Sequence, residues 1–132
     1  MKNVLFVCVE NAGRSQMAEA FANKYSKGKI NATSAGTRPA SIVNPVVAKV
    51  MLEKGIDISG NRPKLISEDT AKKADIVITM GCFEAEGICP APMFRGATDW
   101  SLEDPKGKPI EDVRRIRDEI EKRVKELIDQ IE

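Results

Sequence analysis

An uninterrupted apolar run near the start of the chain constrains the fold more than any other feature of the sequence. Residues 3–9 read Asn-Val-Leu-Phe-Val-Cys-Val and lack the alternation of polar and apolar residues that a strand with one solvated face shows. The run therefore predicts a strand that is buried on both faces. Apolar residues at helical spacing follow at 15–25, so the pattern predicts a strand, a short loop and a helix in succession.

Strands and helices are predicted to alternate along the rest of the chain. Further strands are expected at 30–35, 75–80 and 97–100, and further helices at 45–55, 67–73 and from 110 to the end. Asn44 and Pro45 are typical of a helix start, and Ser67 is typical of another. Apolar stripes are predicted at 46, 47, 50 and 51 on the second helix and at 110, 113, 116, 120, 124, 127, 128 and 131 on the last. This alternation favours an α/β fold with a parallel sheet.

Size, charge and hydropathy exclude several classes of protein. The 132 residues fit one domain, and 21 basic against 20 acidic residues leave a net charge of +1, so no overall field attracts nucleic acid or an anionic membrane. No apolar run approaches the ~20 residues that span a bilayer, and residues 2–7 are too short for the core of a signal peptide. We therefore expect a cytoplasmic protein with no nucleic-acid or membrane partner, in which any anion site is local.

The chain contains no histidine and three cysteines. The absence of histidine removes the commonest general base, most Ser-His-Asp schemes and nearly all zinc sites of mixed ligand type. An odd number of cysteines without a secretory signal favours reactive or buried thiols over a disulfide framework. Thiols, carboxylates and arginines must therefore carry the chemistry.

The loop between the first strand and the first helix carries the strongest functional signal. Residues 8–15 read Cys-Val-Glu-Asn-Ala-Gly-Arg-Ser, and the backbone N–H groups of such a loop can form an anion nest to which the helix start adds positive potential. Arg14 offers a planar fork to two oxygens, and Ser15 can donate a hydrogen bond to the Cys8 sulfur. We predict that Cys8 is a thiolate nucleophile facing a tetrahedral oxyanion. The residues expected to bind this oxyanion are Cys8, Val9, Glu10, Asn11, Ala12, Gly13, Arg14 and Ser15.

A simpler interpretation is that Cys8 ends a buried strand and that Arg14 is a solvated residue at a helix start. The spacing alone is weak support for a site, because a cysteine and an arginine six positions apart often occur by chance. The strand before, the helix after and the adjacent Ser15 favour the site. Asn11 and Gly13 are also residue types that tolerate the positive φ expected in a tight nest.

Motifs outside the loop extend the pattern over essentially the whole chain. They are Arg14-Ser15-Gln16-Met17-Ala18-Glu19, Ser34-Ala35-Gly36, Asp57-Ile58-Ser59, Thr79-Met80-Gly81-Cys82, Cys89-Pro90, Trp100, Glu103-Asp104-Pro105 and Arg117-Asp118-Glu119-Ile120. Together they resemble the low-molecular-weight protein tyrosine phosphatase superfamily, and more closely its thiol-dependent arsenate reductase branch. The resemblance implies one domain over residues 1–132, folded as a three-layer sandwich with a central four-stranded parallel sheet and helices on both faces. Val9-Glu10 replaces the Thr-Gly of well-known relatives and places a negative charge near the anion site.

The resemblance also implies a general acid at Asp104. An Asp-Pro dipeptide is by itself usually a turn, but the family's acid occupies this position and would protonate an oxygen leaving group. Phosphatases of the superfamily typically follow this proline with tyrosines that hold an aromatic substrate. Lys106-Gly107 stands there in this chain, which argues against phosphotyrosine as the substrate.

Cys82 and Cys89 have several interpretations from the residues alone. They could be buried apolar side chains, a structural disulfide, or half of a metal site for which the remaining ligands are missing. In the reductase branch, cysteines at these positions relay the oxidation: Cys82 attacks Cys8, and Cys89 then attacks Cys82, which leaves Cys8 free to work again. The resemblance further implies thioredoxin or a similar external thiol as the reductant, with no tightly bound cofactor.

Three classes of function follow. The leading hypothesis is arsenate reduction to arsenite, and the alternative is a phosphatase that forms a cysteinyl-phosphate and makes Cys82 and Cys89 spectators. A non-catalytic oxyanion or phosphoprotein binding module is the third, and it requires neither a thiol nor an acid. In relatives, positions matching Asn11, Glu19 and Ser34 help to bind a monovalent cation behind the loop.

Overall fold

Four parallel strands form one sheet in the computed structural model, which describes residues 2–81 and 98–131. The strands are β1 (Lys2–Cys8), β2 (Ile30–Gly36), β3 (Ile76–Thr79) and β4 (Thr98–Asp99). The helices of the described part are α1 (Arg14–Tyr25), α2 (Pro45–Leu52), α3 (Glu68–Lys73) and α4 (Ile110–Ile131). Every predicted element that falls within the described residues is present, and most bounds agree to within about one residue.

The order of the strands across the sheet is β2-β1-β3-β4, and all neighbours are parallel. Cys8 lies opposite Gly36 at the end of β1, and Val7 lies opposite Thr79 of β3. Because the strands run in one direction, their carboxyl ends meet at the same edge of the sheet. The predicted four-stranded parallel sheet is confirmed, and it places the loop after Cys8 at this edge.

The central strand β1 is buried on both faces, as the apolar run predicted. Val4, Phe6 and Cys8 pack in a cluster with α1, α2 and α4, whereas Leu5 and Val7 belong to a second cluster. The second cluster also contains Val9 and Ala35, and residues of the segment that carries α3 pack against it. Helices therefore cover both faces, which confirms the three-layer arrangement.

Helix α2 differs from its predicted form in two ways. It ends at Leu52 instead of Gly55, because the N–H groups of Lys54 and Gly55 turn back to Met51 and Leu52 in a closing turn with Gly55 at a φ of 76°. Val46 was predicted on the buried stripe, but it is 37% exposed. The residues of this helix that are buried are Val47, Ala48, Val50 and Met51. The Asn44 side chain caps the helix by accepting from Val46 N at 3.0 Å, as predicted.

A buried arginine joins α2 to α4, and the apolar stripe did not predict it. Arg117 is 7% exposed on the face of α4 that otherwise carries the predicted apolar residues. Its Nη1 donates to the Val50 carbonyl at 2.9 Å and to Glu53 Oε1 at 2.7 Å. Arg114 donates to the same carboxylate through Nε and Nη2. The arginine thus satisfies a carbonyl at the end of α2 that lacks an intrahelical partner.

None of the helices in the described ranges, 2–81 and 98–131, is both long and apolar enough to cross a membrane.

The cluster of Glu53 with Arg114 and Arg117 predicts an acid-dependent loss of stability. Hydrogen bonds from Arg114 and then from Arg117 lower the pKa of Glu53 from 4.5 to about 2. Since the folded state depresses the pKa of Glu53, the ionised carboxylate stabilises the folded protein fully at pH values above its unfolded-state pKa. This stabilisation is lost as the pH falls from about 4.5 towards 2. We expect Glu53→Gln to lower the free energy of unfolding at pH 7, and the deficit to shrink over that acid range. Urea denaturation at a series of pH values measures it.

Glu126→Gln is the matched control, because Glu126 is an exposed glutamate on α4, the helix that carries Arg114 and Arg117. This control should leave the pH dependence of stability as it is in the wild type. A deficit in Glu53→Gln that stays constant between pH 7 and pH 2 would contradict the assignment.

Candidate active site

A small cavity opens at the carboxyl edge of the sheet. Its volume is about 30 Å³, and the residues that line it are Cys8, Glu10, Ala12, Gly13, Arg14, Asn44, Asp104, Pro105 and Lys106. One water molecule needs about 10–15 Å³ on this scale, so the cavity has room for roughly two waters or one small oxyanion. The structure thus brings Cys8, Arg14 and Asp104, three predicted site residues from distant parts of the sequence, to one place.

Cys8 is a free thiol that is 3% exposed at the end of β1. Its Sγ lies 2.8 Å from Ser15 Oγ and accepts the N–H of Asn11 at 3.2 Å. Asn11 Nδ2 donates to Ser15 Oγ at 2.7 Å, so the Ser15 oxygen is used as an acceptor and its hydrogen is directed at the sulfur. Two donors therefore reach the Cys8 sulfur without a histidine, which is the kind of contact that favours the anionic form of a thiol.

Buried amides behind the loop hold this arrangement in place. Asn11 and Gln16 are both fully buried, and Gln16 Nε2 donates to Asn11 Oδ1 at 3.2 Å. The same oxygen accepts the N–H of Lys64 at 2.9 Å, and Gln16 Oε1 accepts from Asn61 Nδ2 at 3.2 Å. Sequence reasoning assigned no role to Gln16, Asn61 or Lys64. The sequence did contain a signal for Gln16. It is a polar residue on the apolar side of the first helix, immediately after the Cys-x5-Arg-Ser pattern, and a buried amide at such a position must have hydrogen-bond partners.

The backbone of residues 37–44 holds the loop from outside. The N–H groups of Arg38, Ala40 and Asn44 donate to three loop carbonyls, those of Val9, Glu10 and Ala12, at 2.8, 3.0 and 2.9 Å. In a trans peptide the N–H points opposite to the carbonyl, so carbonyls bound on the outside turn the N–H groups of residues 10, 11 and 13 inward. The bond from Asn11 N to the sulfur agrees with this direction. The loop therefore presents the inward N–H groups of an anion nest.

The two residues expected to tolerate positive φ behave differently. Asn11 has a φ of 53°, as predicted, whereas Gly13 has a φ of −143° and the prediction for it was wrong. Space is the reason for glycine at position 13, because an added Cβ would lie 3.0 Å from Cγ of Pro105. Gly36 is required in the same way at the end of β2, where a Cβ would lie 2.5 Å from the Val9 carbonyl oxygen.

Arg14 is 5% exposed, and two backbone carbonyls fix its guanidinium. Nη1 donates to the Met80 carbonyl and, at 2.9 Å, to that of Leu102. Nη2 lies 3.9 Å from Asp104 Oδ2, on the side of the cavity. The carbonyls just beyond β3 and β4 thus orient the fork before any oxyanion binds, which limits the reorganisation needed on binding.

Asp104 lies at the cavity mouth with 46% of its side chain exposed. Its Oδ1 accepts the N–H of Lys106 at 3.0 Å, in a turn that Pro105 begins. This half-exposed carboxyl group can exchange a proton with water and also face a ligand in the cavity. The position suits the predicted general acid.

The other predicted site residues fall into three groups. The Val9 side chain packs into the core, so Val9 contributes only its backbone to the loop. Asn11 and Ser15 lie behind the sulfur and are hydrogen-bonded to it. Cys82 and Cys89 lie outside the described residues, and the relay stays a prediction. Asn44 and Lys106, by contrast, line the cavity and were not predicted to do so.

The residues considered for a monovalent cation are bonded to protein groups. Ser34 Oγ donates to Glu19 Oε1 at 2.7 Å, and the ammonium of Lys64 lies 3.8 Å from the same oxygen. Asn11 Oδ1 already accepts from Gln16 and from Lys64 N. As bonded here, these oxygens do not fit a free cation. The cation stays a prediction from resemblance, and no step proposed below requires it.

Comparison with known proteins agrees with this geometry. The family model described as low molecular weight phosphotyrosine protein phosphatase matches residues 3–132. An arsenate reductase of Brevibacillus brevis is 40% identical over 127 residues, which cover 96% of this chain and 93% of that protein. A solved arsenate reductase in a phosphate-binding state superposes with a TM-score of 0.88 at 40% identity over the full length of both chains. A thioredoxin-dependent arsenate reductase of Corynebacterium glutamicum gives 0.80 at 39% identity, covering 99% of this chain and 62% of that one.

The hydrogen bond between Ser15 Oγ and Cys8 Sγ predicts how fast the sulfur reacts with an alkylating reagent. A hydrogen bond to a charged group contributes about 1.5–3 kcal/mol, so Ser15→Ala should slow alkylation of Cys8 by iodoacetamide at pH 7 by about tenfold or more. The mass of the Cys8 peptide follows the reaction. Ser59→Ala is the control, because that hydroxyl bonds Asp57 in an exposed turn. An unchanged rate in Ser15→Ala would show that Asn11 N alone stabilises the thiolate.

Proposed function

The chain belongs to the low molecular weight phosphotyrosine protein phosphatase family, and on that premise we propose that it is an arsenate reductase with Cys8 as its nucleophile. The observation that carries the proposal is the meeting of Cys8, Arg14 and Asp104 at a cavity the size of one small oxyanion. Relatives named as arsenate reductases, about 40% identical over nearly the whole chain, support arsenate as that oxyanion.

In the first step the Cys8 thiolate attacks arsenic and forms a sulfur–arsenic bond. One arsenic–oxygen bond breaks, and the oxygen leaves as water with a proton from Asp104. Arg14 and the inward N–H groups of the loop stabilise the negative charge on the remaining oxygens. The hydrogen bonds from Ser15 and Asn11 orient the sulfur for the attack.

The second step reduces arsenic. The sulfur of Cys82 attacks Cys8 Sγ, a disulfide forms, and the sulfur–arsenic bond breaks with its electron pair left on arsenic, which departs as arsenite. The two electrons thus come from the two thiols. Cys89 then attacks Cys82 and frees Cys8, which leaves a Cys82–Cys89 disulfide.

An external dithiol must reduce this disulfide, and we propose thioredoxin. The thioredoxin-dependent arsenate reductase of Corynebacterium glutamicum, 39% identical to this chain, supports this choice. No tightly bound cofactor is needed, because thiols supply both electrons.

Phosphatase activity is the second candidate, because the same three residues would suffice for a cysteinyl-phosphate intermediate that water hydrolyses. The family description and the complete set of Cys8, Arg14 and Asp104 favour it. Two points argue against it. Lys106 stands where an aromatic residue would hold an aryl substrate, and the phosphatase mechanism would leave Cys82 and Cys89 without a role. A binding module without catalysis would need neither the stabilised thiolate nor the carboxyl group at the mouth.

A coupled assay distinguishes the two enzymes. Purified protein is mixed with arsenate, thioredoxin, thioredoxin reductase and NADPH, and NADPH oxidation is followed with phosphate replacing arsenate as the control. Arsenate-dependent oxidation that is lost in Cys8→Ser supports the reductase. Aryl phosphate hydrolysis that survives removal of Cys82 and Cys89, without arsenate-dependent oxidation, would establish the phosphatase instead.

Arg14→Lys tests the oriented guanidinium. A lysine ammonium can replace one bond to the Met80 or Leu102 carbonyl, but it cannot also present a fork to the oxyanion. We expect kcat/KM for arsenate to fall about 10–100-fold, as for the loss of a charged hydrogen bond. Arg62→Lys is a control at an exposed position. A value near wild type for Arg14→Lys would mean that this loop does not bind the substrate.

Cys89→Ser tests the relay. The variant keeps Cys8, Arg14 and Asp104, so the first turnover with arsenate should proceed and multiple turnovers with thioredoxin should fail. The protein should accumulate as a Cys8–Cys82 disulfide, because the thiolate that would attack Cys82 is absent. Peptide mapping under non-reducing conditions after one equivalent of arsenate detects this crosslink. Cycling at the wild-type rate would contradict the relay.

A further inference from the structure

An ion pair crosses the mouth of the cavity. Lys106 Nζ lies 3.0 Å from Glu10 Oε2, although the two residues are 96 positions apart. Both residues line the cavity together with Cys8 and Asp104. We call Glu10 and Lys106 the mouth pair. It joins the loop that carries the nucleophile to the turn that carries the acid.

The turn at residues 105–108 directs Lys106 towards Glu10. Lys108 N donates to the Pro105 carbonyl at 3.2 Å, and Gly107 takes the φ of 74° that this turn requires. Pro105 itself is buried, with its Cγ close to Gly13. The acid turn therefore already lies against the nucleophile loop, and the mouth pair closes the remaining side.

The mouth pair also explains how a carboxylate is tolerated beside an anion site. An unpaired Glu10 would repel an oxyanion in the cavity, whereas a lysine ammonium at 3.0 Å offsets most of that field. Lysine performs this role at a cost in space, because the pair that it forms with Glu10 lines the cavity. A substrate with a bulky ester group must therefore displace it.

We propose that the mouth pair is a specificity determinant that restricts the site to free tetrahedral oxyanions and excludes esters with large groups. The cavity of about 30 Å³ has room for the oxyanion only, so an ester group would have to extend past the mouth pair. The inference rests on the proposed function for the identity of the substrate. It is tested by binding, which does not depend on arsenate reduction.

The experiment measures protection of Cys8 from iodoacetamide by inorganic phosphate and by phenyl phosphate, followed by the mass of the Cys8 peptide. The variants are Glu10→Gln, Lys106→Met, both neutral changes together, and the charge-exchanged double variant Glu10→Lys with Lys106→Glu. Lys73→Met, which breaks an exposed ion pair with Asp69 on α3, is the matched control. The quantity compared is the dissociation constant for phenyl phosphate divided by that for phosphate.

We expect this ratio to fall about two- to fivefold in each single variant, the range for loss of an exposed ion pair. The neutral double variant should fall no further, the charge exchange should restore the wild-type ratio, and Lys73→Met should not change it. Added salt of about 0.5 M should lower the wild-type ratio towards that of the variants, because exposed charges are screened.

A ratio that stays at the wild-type value in both single variants overturns the proposal, whatever happens to the separate affinities. Equal tightening of both ligands in Glu10→Gln would show plain charge repulsion instead of closure and would also overturn it. Failure of the coupled arsenate assay with the expected ratios intact would reject the proposed function and leave the mouth pair as a selectivity device. Absence of protection by either ligand would reject the loop as an oxyanion site.

Discussion

The site depends on the direction of a few peptide bonds. Three carbonyls of the loop after β1 are bound from outside by the backbone of residues 37–44, and the planar trans peptide then turns the opposite N–H groups towards the cavity. Arg14, at the end of the loop, adds its guanidinium to this backbone lining. Because the nest is built from backbone, position 10 of the loop can carry a glutamate whose charge Lys106 offsets.

The same constraint explains how the chain manages without histidine. A thiolate needs hydrogen-bond donors more than it needs a base, and Asn11 N and the Ser15 hydroxyl supply them from within the loop. Each donor is oriented by the next group behind it, through Asn11 and Gln16 to Asn61. The scaffold thus fixes the direction of these hydrogen bonds, which run from exposed Asn61 to the fully buried Gln16 and Asn11.

The sequence predicted what periodicity and local motifs encode, and it missed what depends on distant contacts. The buried strand, the alternation of elements and the Cys-x5-Arg-Ser loop are local patterns, and the parallel sheet brings Cys8 and Asp104 to one edge. The backbone contacts of residues 37–44 leave no side-chain signature. In the sequence, Arg117 cannot be told apart from the other charged residues of the last helix. Its partners, the Val50 carbonyl and the Glu53 carboxylate, are more than 60 positions away along the chain. Gly13 was read as a conformational requirement, whereas packing against Pro105 is the actual one.

Cys8 ends the central strand β1, which has β2 on one side and β3 on the other. Segments at the edges of a protein open locally at low free energy, but a central strand with both faces covered opens only with the whole core. We therefore expect the strand that Cys8 ends to open later than the surface turn that carries Asp104 at the mouth. Partial unfolding would therefore release Asp104 first and leave the Cys8 sulfur in place. A damaged molecule then lacks the proton donor that the proposed first step needs, although its sulfur is still held by its hydrogen-bond donors.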